Sequence, residues 1–124
     1  NRFAVPQGDP AFAPRPDLPA PNLLEEIALT FEAFNQKFRG SPVKRARRRG
    51  YLRNVATALG NLRDPASIPD LAGVLENEPE PLVRGHSAWA LGRFDVRPAR
   101  LALDKALKRE TDPFVLAEIH SAFE

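Results

Sequence analysis

The chain has 124 residues, of which 43% are apolar, a formal net charge of +2 and no cysteine. This length allows one domain with one core, and the lack of cysteine excludes disulfides, thiolate metal sites and cysteine-ligated iron–sulfur clusters within the chain. No run approaches the roughly 20 apolar residues of a membrane span, and no signal segment opens the chain. We therefore expect no membrane partner and a cytoplasmic location. Because the chain starts at Asn1 without a methionine, we also expect a fragment of a longer protein.

The first part of the chain is rich in proline. Residues 1–21 hold six of the thirteen prolines, which remove backbone donors and predict an extended linker or strap. Residues 22–124 are predicted to form one helical repeat domain. It begins with two short helices, one over 23–29 capped by Asn22 and one over 30–40.

A longer helix follows, and its start is signalled by Ser41 and Pro42, a capping residue followed by proline at the first helical position. It is predicted to run toward Gly60. Gly50 lies inside it and costs about 1 kcal/mol relative to alanine, so we expect a kink or break there.

The second half of the chain repeats itself every 32 residues. The units share Ala56, Ala58, Leu59 and Gly60, which recur as Ala88, Ala90, Leu91 and Gly92. The next helices match through Leu71, Val74 and Leu75, which correspond to Leu103, Ala106 and Leu107. Paired helices at this period are typical of α-solenoids. We predict an all-α fold without strands, a short α-solenoid of HEAT-like helical hairpins with about two and a half repeats.

Basic residues are concentrated in one segment of the predicted long helix and its approach. Nine of the eighteen Lys and Arg residues lie between Glu32 and Asp64, and no acidic residue lies among them. On a continuous helix Arg45, Arg49 and Arg53 share one stripe, about one 5.4 Å turn apart. That spacing resembles the separation of successive phosphates in RNA, and guanidinium groups suit phosphate oxygens. The segment therefore predicts contact with nucleic acid.

Lys44 and Arg48 form a parallel basic stripe on the same helix. A different interpretation of both stripes stays open, in which they form a solvated surface whose charges pair with acids from elsewhere, such as Glu25, Glu26 or Glu32.

The repeat also places polar residues at equivalent positions. Asn54, His86 and Glu118 are 32 residues apart, so stacked helices should present them as a polar ladder. Hydrogen bonding between repeats is the favoured interpretation, since buried polar groups need partners. A ligand-facing role for Asn54 and His86 stays open because they lie beside Arg53 and Arg84. No nucleophile with a base, no paired carboxylates and no phosphate-binding glycine loop are evident, so we assign no catalytic and no metal-binding residue.

An ordered set of motifs resembles the C-terminal region of the epoxyqueuosine reductases. The matching segments include Gly40-Ser41-Pro42-Val43-Lys44-Arg45, Leu52-Arg53-Asn54-Val55-Ala56 and Leu82-Val83-Arg84-Gly85-His86-Ser87-Ala88-Trp89. The likeness spans nearly the whole chain. It implies a parent enzyme that reduces epoxyqueuosine to queuosine at the wobble position of tRNA with a cobalamin and two [4Fe–4S] clusters.

In such a parent, this region would be the HEAT-like domain that follows the N-terminal catalytic domains and helps to hold the anticodon stem-loop of the tRNA. This chain has neither the cluster cysteines nor the cobalamin-binding part, so alone it should not catalyse the reaction. The resemblance implies only a tRNA-contacting role, carried by Lys44, Arg45, Arg48, Arg49, Arg53, Asn54, Arg84 and His86.

The competing hypothesis is a HEAT-type scaffold for protein–protein interaction that binds no nucleic acid. It predicts an exposed apolar patch along the repeat groove and binding that is insensitive to salt. A third hypothesis, an autonomous hydrolase, has little support in the residues present.

Overall fold

The part of the chain that the structure describes is built from helices arranged in two layers. The computed structural model describes residues 23–28, 33–34, 36 and 45–124. In chain order the helices are α1 Leu23–Glu26, α2 Arg45–Leu62, α3 Ile68–Asn77, α4 Pro81–Gly92, α5 Arg97–Leu107 and α6 Pro113–Ala122. A 3₁₀ turn, Pro65–Ser67, connects α2 to α3. These residues contain no strand, and the all-α prediction is confirmed.

The first helices of successive repeats form one layer, and the second helices form the other. Helices α2, α4 and α6 pack side by side with α4 in the middle, while α3 and α5 pack against each other and against α4. The core between the layers is apolar. Its fully buried large side chains include Leu52, Val55, Leu71, Val83, Leu91, Val115 and Ile119. The predicted hairpin solenoid is therefore confirmed.

Local signals explain where the helices of the repeats begin. Pro81 and Pro113 occupy the first turns of α4 and α6, where proline leaves no helical hydrogen bond unmade. Before α6, the Asp112 carboxylate accepts hydrogen bonds from the backbone N–H groups of Phe114 at 2.9 Å and Val115 at 3.3 Å. Such a cap satisfies donors that have no partner within the helix.

The 32-residue period reappears as one repeated contact between neighbouring first helices. A Cβ placed on Gly60 would lie 3.0 Å from the Cα of Ala90, and a Cβ on Gly92 would lie 3.3 Å from the Cα of Ala122. Gly60 and Gly92 are equivalent positions, as are Ala90 and Ala122. Small residues at both sites let the backbones of adjacent helices approach closely.

The break predicted at Gly50 is wrong, because α2 is helical without interruption from Arg45 to Leu62. Residues on both sides of the glycine are held against the core, since Tyr51 and Leu52 are buried and Arg48 is buried one turn earlier. This tertiary packing outweighs a local preference of about 1 kcal/mol.

The first of the predicted short helices is shorter than expected. It forms α1, Leu23–Glu26, and Ile27 after it is buried. From the second, residues 33, 34 and 36 are helical, and the Phe34 ring packs 5.5 Å from that of Tyr51. The strap predicted over 1–21 and the Ser41–Pro42 start signal lie outside the described residues.

Candidate nucleic-acid interface

The orientation of α2 decides which of its basic side chains face solvent. Leu52, Val55 and Leu59 form the buried stripe of this helix. Arg48 lies one turn before Leu52 and extends the same stripe toward the helix start. Arg47 lies on the exposed side of the helix.

Arg48 is buried in an ion pair with Glu78, in the turn before α4. Its Nη1 and Nη2 atoms donate to Glu78 Oε2 at 2.8 Å and Oε1 at 2.6 Å, and each side chain is only 5% exposed. Glu78 Oε2 also accepts a hydrogen bond from the backbone N–H of Glu80 at 3.0 Å. This bidentate pair holds α2 against the turn, so a phosphate group could contact Arg48 only by displacing Glu78.

Arg84 is engaged in a similar pair one repeat later. Its Nε and Nη2 atoms donate to Glu110 at 3.0 and 2.9 Å, and its Nη1 donates to the carbonyl oxygens of Glu78 at 2.9 Å and Pro79 at 3.0 Å. Glu110 accepts in addition from the backbone N–H of Asp112 at 3.1 Å. Glu78 and Glu110 are 32 residues apart, and each closes the turn before a first helix.

The same pair shifts the ionisation of both partners. Burial by itself would raise the pKa of the Glu110 carboxyl, but hydrogen bonds from Arg84 and from backbone N–H groups outweigh burial, and the pKa lies below its usual range. The hydrogen bond to Glu110 raises the pKa of Arg84, against the opposing effect of burial. Both groups are therefore held in their charged forms.

Arg49 and Arg53 lie one turn apart on an accessible stripe of α2, and we call this pair the arginine face. Arg47, two residues before Arg49, lies on a different side of the helix. Arg49 is 45% exposed and lies 3.5 Å from Glu80, a long and solvent-screened ion pair. Arg47 is exposed and forms no ion pair with any residue that the structure describes. Arg53 is half-buried, and its Nε donates to Asn54 Oδ1 at 3.3 Å.

Of the three residues of the predicted polar ladder, two line the same cavity and the third does not. His86 and Glu118 line one cavity on the α2–α4–α6 layer, together with Thr57 and Trp89. Asn54 is buried, with 8% of its surface exposed. The hydrogen bond of His86 within the described structure joins its Nδ1 to the Leu82 carbonyl oxygen of its own helix at 2.9 Å, not to the neighbouring repeat.

The structure therefore separates the predicted contact residues into groups. Arg49 and Arg53 are on the arginine face, His86 lines the cavity, and Arg48 and Arg84 are bound within the protein. Lys44 and the side chain of Arg45 lie outside the described residues. Neither Arg47 nor the pairing role of Glu78 was predicted from the sequence, although the position of Arg48 on the apolar stripe indicates that it points inward.

In the described part of the chain, no three His, Cys, Asp or Glu side chains are grouped so that they could hold a metal ion. No helix in the same part is both long and apolar enough to cross a bilayer.

Comparison with known proteins agrees with this geometry. The family model of HEAT repeats matches residues 45–123, which is most of the chain. The chain belongs to the HEAT repeat family. The match covers α2 to α6, the helices that form the two layers.

Relatives of this HEAT domain confirm the resemblance stated from its motifs. Epoxyqueuosine reductase from Bacillus cereus is 32% identical over 93% of the chain, and the one from Pseudomonas aeruginosa is 41% identical over 75%. The chain spans 30% and 26% of the lengths of these two relatives.

Solved structures give the same result. A crystal structure of epoxyqueuosine reductase with an epoxyqueuosine-modified tRNA-Tyr stem loop is 30% identical, with a TM-score of 0.72 over 83% of this chain and 28% of that one. The Bacillus subtilis epoxyqueuosine reductase has a TM-score of 0.71 over 82% of this chain and 27% of its own.

Proposed function

We propose that this HEAT domain is the tRNA-binding part of an epoxyqueuosine reductase, whose full-length enzyme reduces epoxyqueuosine to queuosine at the tRNA wobble position. The observation that carries the proposal is the similarity in fold and sequence to an epoxyqueuosine reductase crystallised with a tRNA stem loop. The partners are the anticodon stem-loop and the N-terminal catalytic domains of the same parent, acting in the cytoplasm.

The arginine face supports a contact with RNA phosphates. Arg49 and Arg53 lie one turn apart on the same side of α2, and among the described residues the only carboxylate that pairs with either of them is Glu80, 3.5 Å from Arg49. Guanidinium groups bind phosphate oxygens through paired hydrogen bonds, and such contacts position an RNA without identifying its bases. The domain accordingly orients the stem-loop, and the nucleoside is selected elsewhere.

The cobalamin and the two [4Fe–4S] clusters belong to other parts of the parent. The chain has no cysteine, and thiolates are the usual ligands of iron–sulfur clusters. The residues present therefore do not fit an iron–sulfur cluster, and no step of the reaction is assigned to them.

A protein-binding scaffold is less well supported. That hypothesis predicts an apolar patch along the repeat groove, whereas the cavity on the α2–α4–α6 layer is lined by three polar side chains, Thr57, His86 and Glu118, and by Trp89.

The proposal is tested by fluorescence anisotropy with a labelled anticodon stem-loop. Affinity should fall linearly with the logarithm of salt concentration, with a slope of about −0.7 to −0.9 per neutralised phosphate. The double variant Arg49→Glu and Arg53→Glu should bind at least about tenfold more weakly, with a shallower slope.

A matched control makes the same change in charge on the other layer. The double variant Arg97→Glu and Lys108→Glu alters exposed cations of α5 and of the residue that follows it. If it weakened binding as much as the α2 variant, or if the α2 variant bound with unchanged affinity and slope, the arginine face would not be the contact.

A further inference from the structure

The cavity on the α2–α4–α6 layer is not explained by phosphate binding. It has a volume of about 250 Å³ and is lined by Thr57 of α2, His86 and Trp89 of α4, and Glu118 of α6. Typical small-molecule pockets measure roughly 300–1,000 Å³, so this one has room for a single planar ring system.

The polar side chains that line the cavity offer hydrogen-bond acceptors. His86 Nδ1 lies 2.9 Å from the Leu82 carbonyl oxygen, which only accepts, so Nδ1 carries a hydrogen and Nε2 is the ring nitrogen left for a ligand. The Thr57 hydroxyl donates to the Arg53 carbonyl oxygen at 3.0 Å, which leaves its lone pairs available. A ligand with N–H donors therefore fits the cavity.

Glu118 adds the strongest of these acceptors. Its side chain is half-buried and makes no hydrogen bond or ion pair with any residue in the described ranges. An ionised carboxylate accepts through both oxygens and prefers a group with two adjacent N–H donors.

Two arginines lie near residues that line the cavity. The Arg93 guanidinium lies over the Trp89 ring, 5.3 Å from its centre, and Arg53 precedes Thr57 by one turn on α2. Neither pairs with a carboxylate among the residues described. The cavity thus combines an aromatic side chain and acceptors inside with cations at its edge.

We propose that this cavity binds one unpaired nucleotide of an RNA, with a base that presents two adjacent N–H donors, as guanine does. The base stacks beside Trp89 and donates to Glu118, and its phosphate is bound by Arg53 or Arg93. Single-stranded RNA is commonly recognised by such stacking combined with hydrogen bonds to base edges. The inference rests on the proposed RNA-binding function and adds a base-selective contact to it.

The test uses the intrinsic fluorescence of Trp89, the single tryptophan of the chain. Titration with GMP should quench the signal in a saturable way, and GMP should bind at least about fivefold more tightly than UMP, the lower end of what a bidentate base contact contributes. In Glu118→Gln, which removes the charge and one acceptor at nearly the same size, this preference should fall below about twofold while circular dichroism stays unchanged.

Ribose 5-phosphate and inorganic phosphate serve as competitors. If either bound as tightly as GMP, the site would bind only anions, and the base contact would be refuted. Quenching that is equal for GMP and UMP, or absent, would also refute it. Both results are compatible with stem-loop binding through the arginine face, so failure of this inference is distinguishable from failure of the proposed function.

Discussion

The close approach of α2 and α4 predicts how much a substitution at Gly60 changes the free energy of unfolding. In Gly60→Ala the new Cβ would lie 2.6 Å from Trp89 Cζ3, 3.0 Å from the Ala90 Cα and 3.1 Å from the Ala90 Cβ. The Trp89 ring can shift, but the Ala90 backbone can move only if α4 moves away from α2. Overpacking of this kind costs about 1–3 kcal/mol, while replacing glycine by alanine inside a helix gains about 1 kcal/mol. The expected net loss is therefore roughly 0–2 kcal/mol.

Gly50→Ala is the matched control, because Gly50 lies in the same helix and an added Cβ there would meet nothing within 4 Å. It should gain about 0.5–1 kcal/mol. Since the helix-propensity gain is common to both variants, their difference of about 1–3 kcal/mol isolates the overpacking at Gly60. Urea unfolding followed by circular dichroism measures both. If Gly60→Ala gained as much stability as Gly50→Ala, the close packing of α2 on α4 would be refuted.

Further predictions concern buried polar groups. Arg48→Met leaves Glu78 buried without its partner and should lower the free energy of unfolding in urea by about 3–5 kcal/mol. Arg47→Met, at an exposed position, should change it by no more than about 0.5 kcal/mol. Equal effects would contradict the role of the buried pair. The Ser87 hydroxyl is fully buried and has no hydrogen-bond partner among the residues that the structure describes. Ser87→Ala should therefore raise the free energy of unfolding by about 1–2 kcal/mol, and a loss would show that the hydroxyl is satisfied. Because the folded-state pKa of Glu110 is lowered, its contribution to stability is present above the unfolded-state pKa of about 4.3 and is lost as pH falls through the folded-state value. The difference in unfolding free energy between wild type and Glu110→Gln should therefore shrink between about pH 6 and pH 3, and a constant difference would contradict the lowered pKa.

Most of the repeat architecture could be predicted from the sequence because its signals are local or periodic. Pro81 and Pro113 mark the starts of α4 and α6, and the recurrence of Gly60 as Gly92 indicates that the first helices of successive repeats stack. Helix propensity and a fixed period act within a few turns of chain, so they can be read without knowing the fold. The break predicted at Gly50 was wrong because the packing of its neighbours against the core overrides the low helix preference of glycine.

The basic segment shows the limit of the same approach. Charge and spacing predicted that α2 carries cations suited to phosphate, but they treated Arg48 and Arg49 alike. In the folded chain Arg48 is bound by Glu78, which lies 30 residues away, while Arg49 stays 45% exposed. Their environments differ because the turn before α4 packs against the start of α2 on the side of Arg48.

By itself, the amino-acid sequence determined the helices of the repeats, their period and the concentration of positive charge on α2. Only the tertiary structure decided which arginines are bound within the protein, and that His86, Trp89 and Glu118 enclose a cavity with Thr57. The physical reason is that hydrogen bonding and desolvation of a charged side chain depend on groups distant in sequence, and those groups meet only when the helices stack.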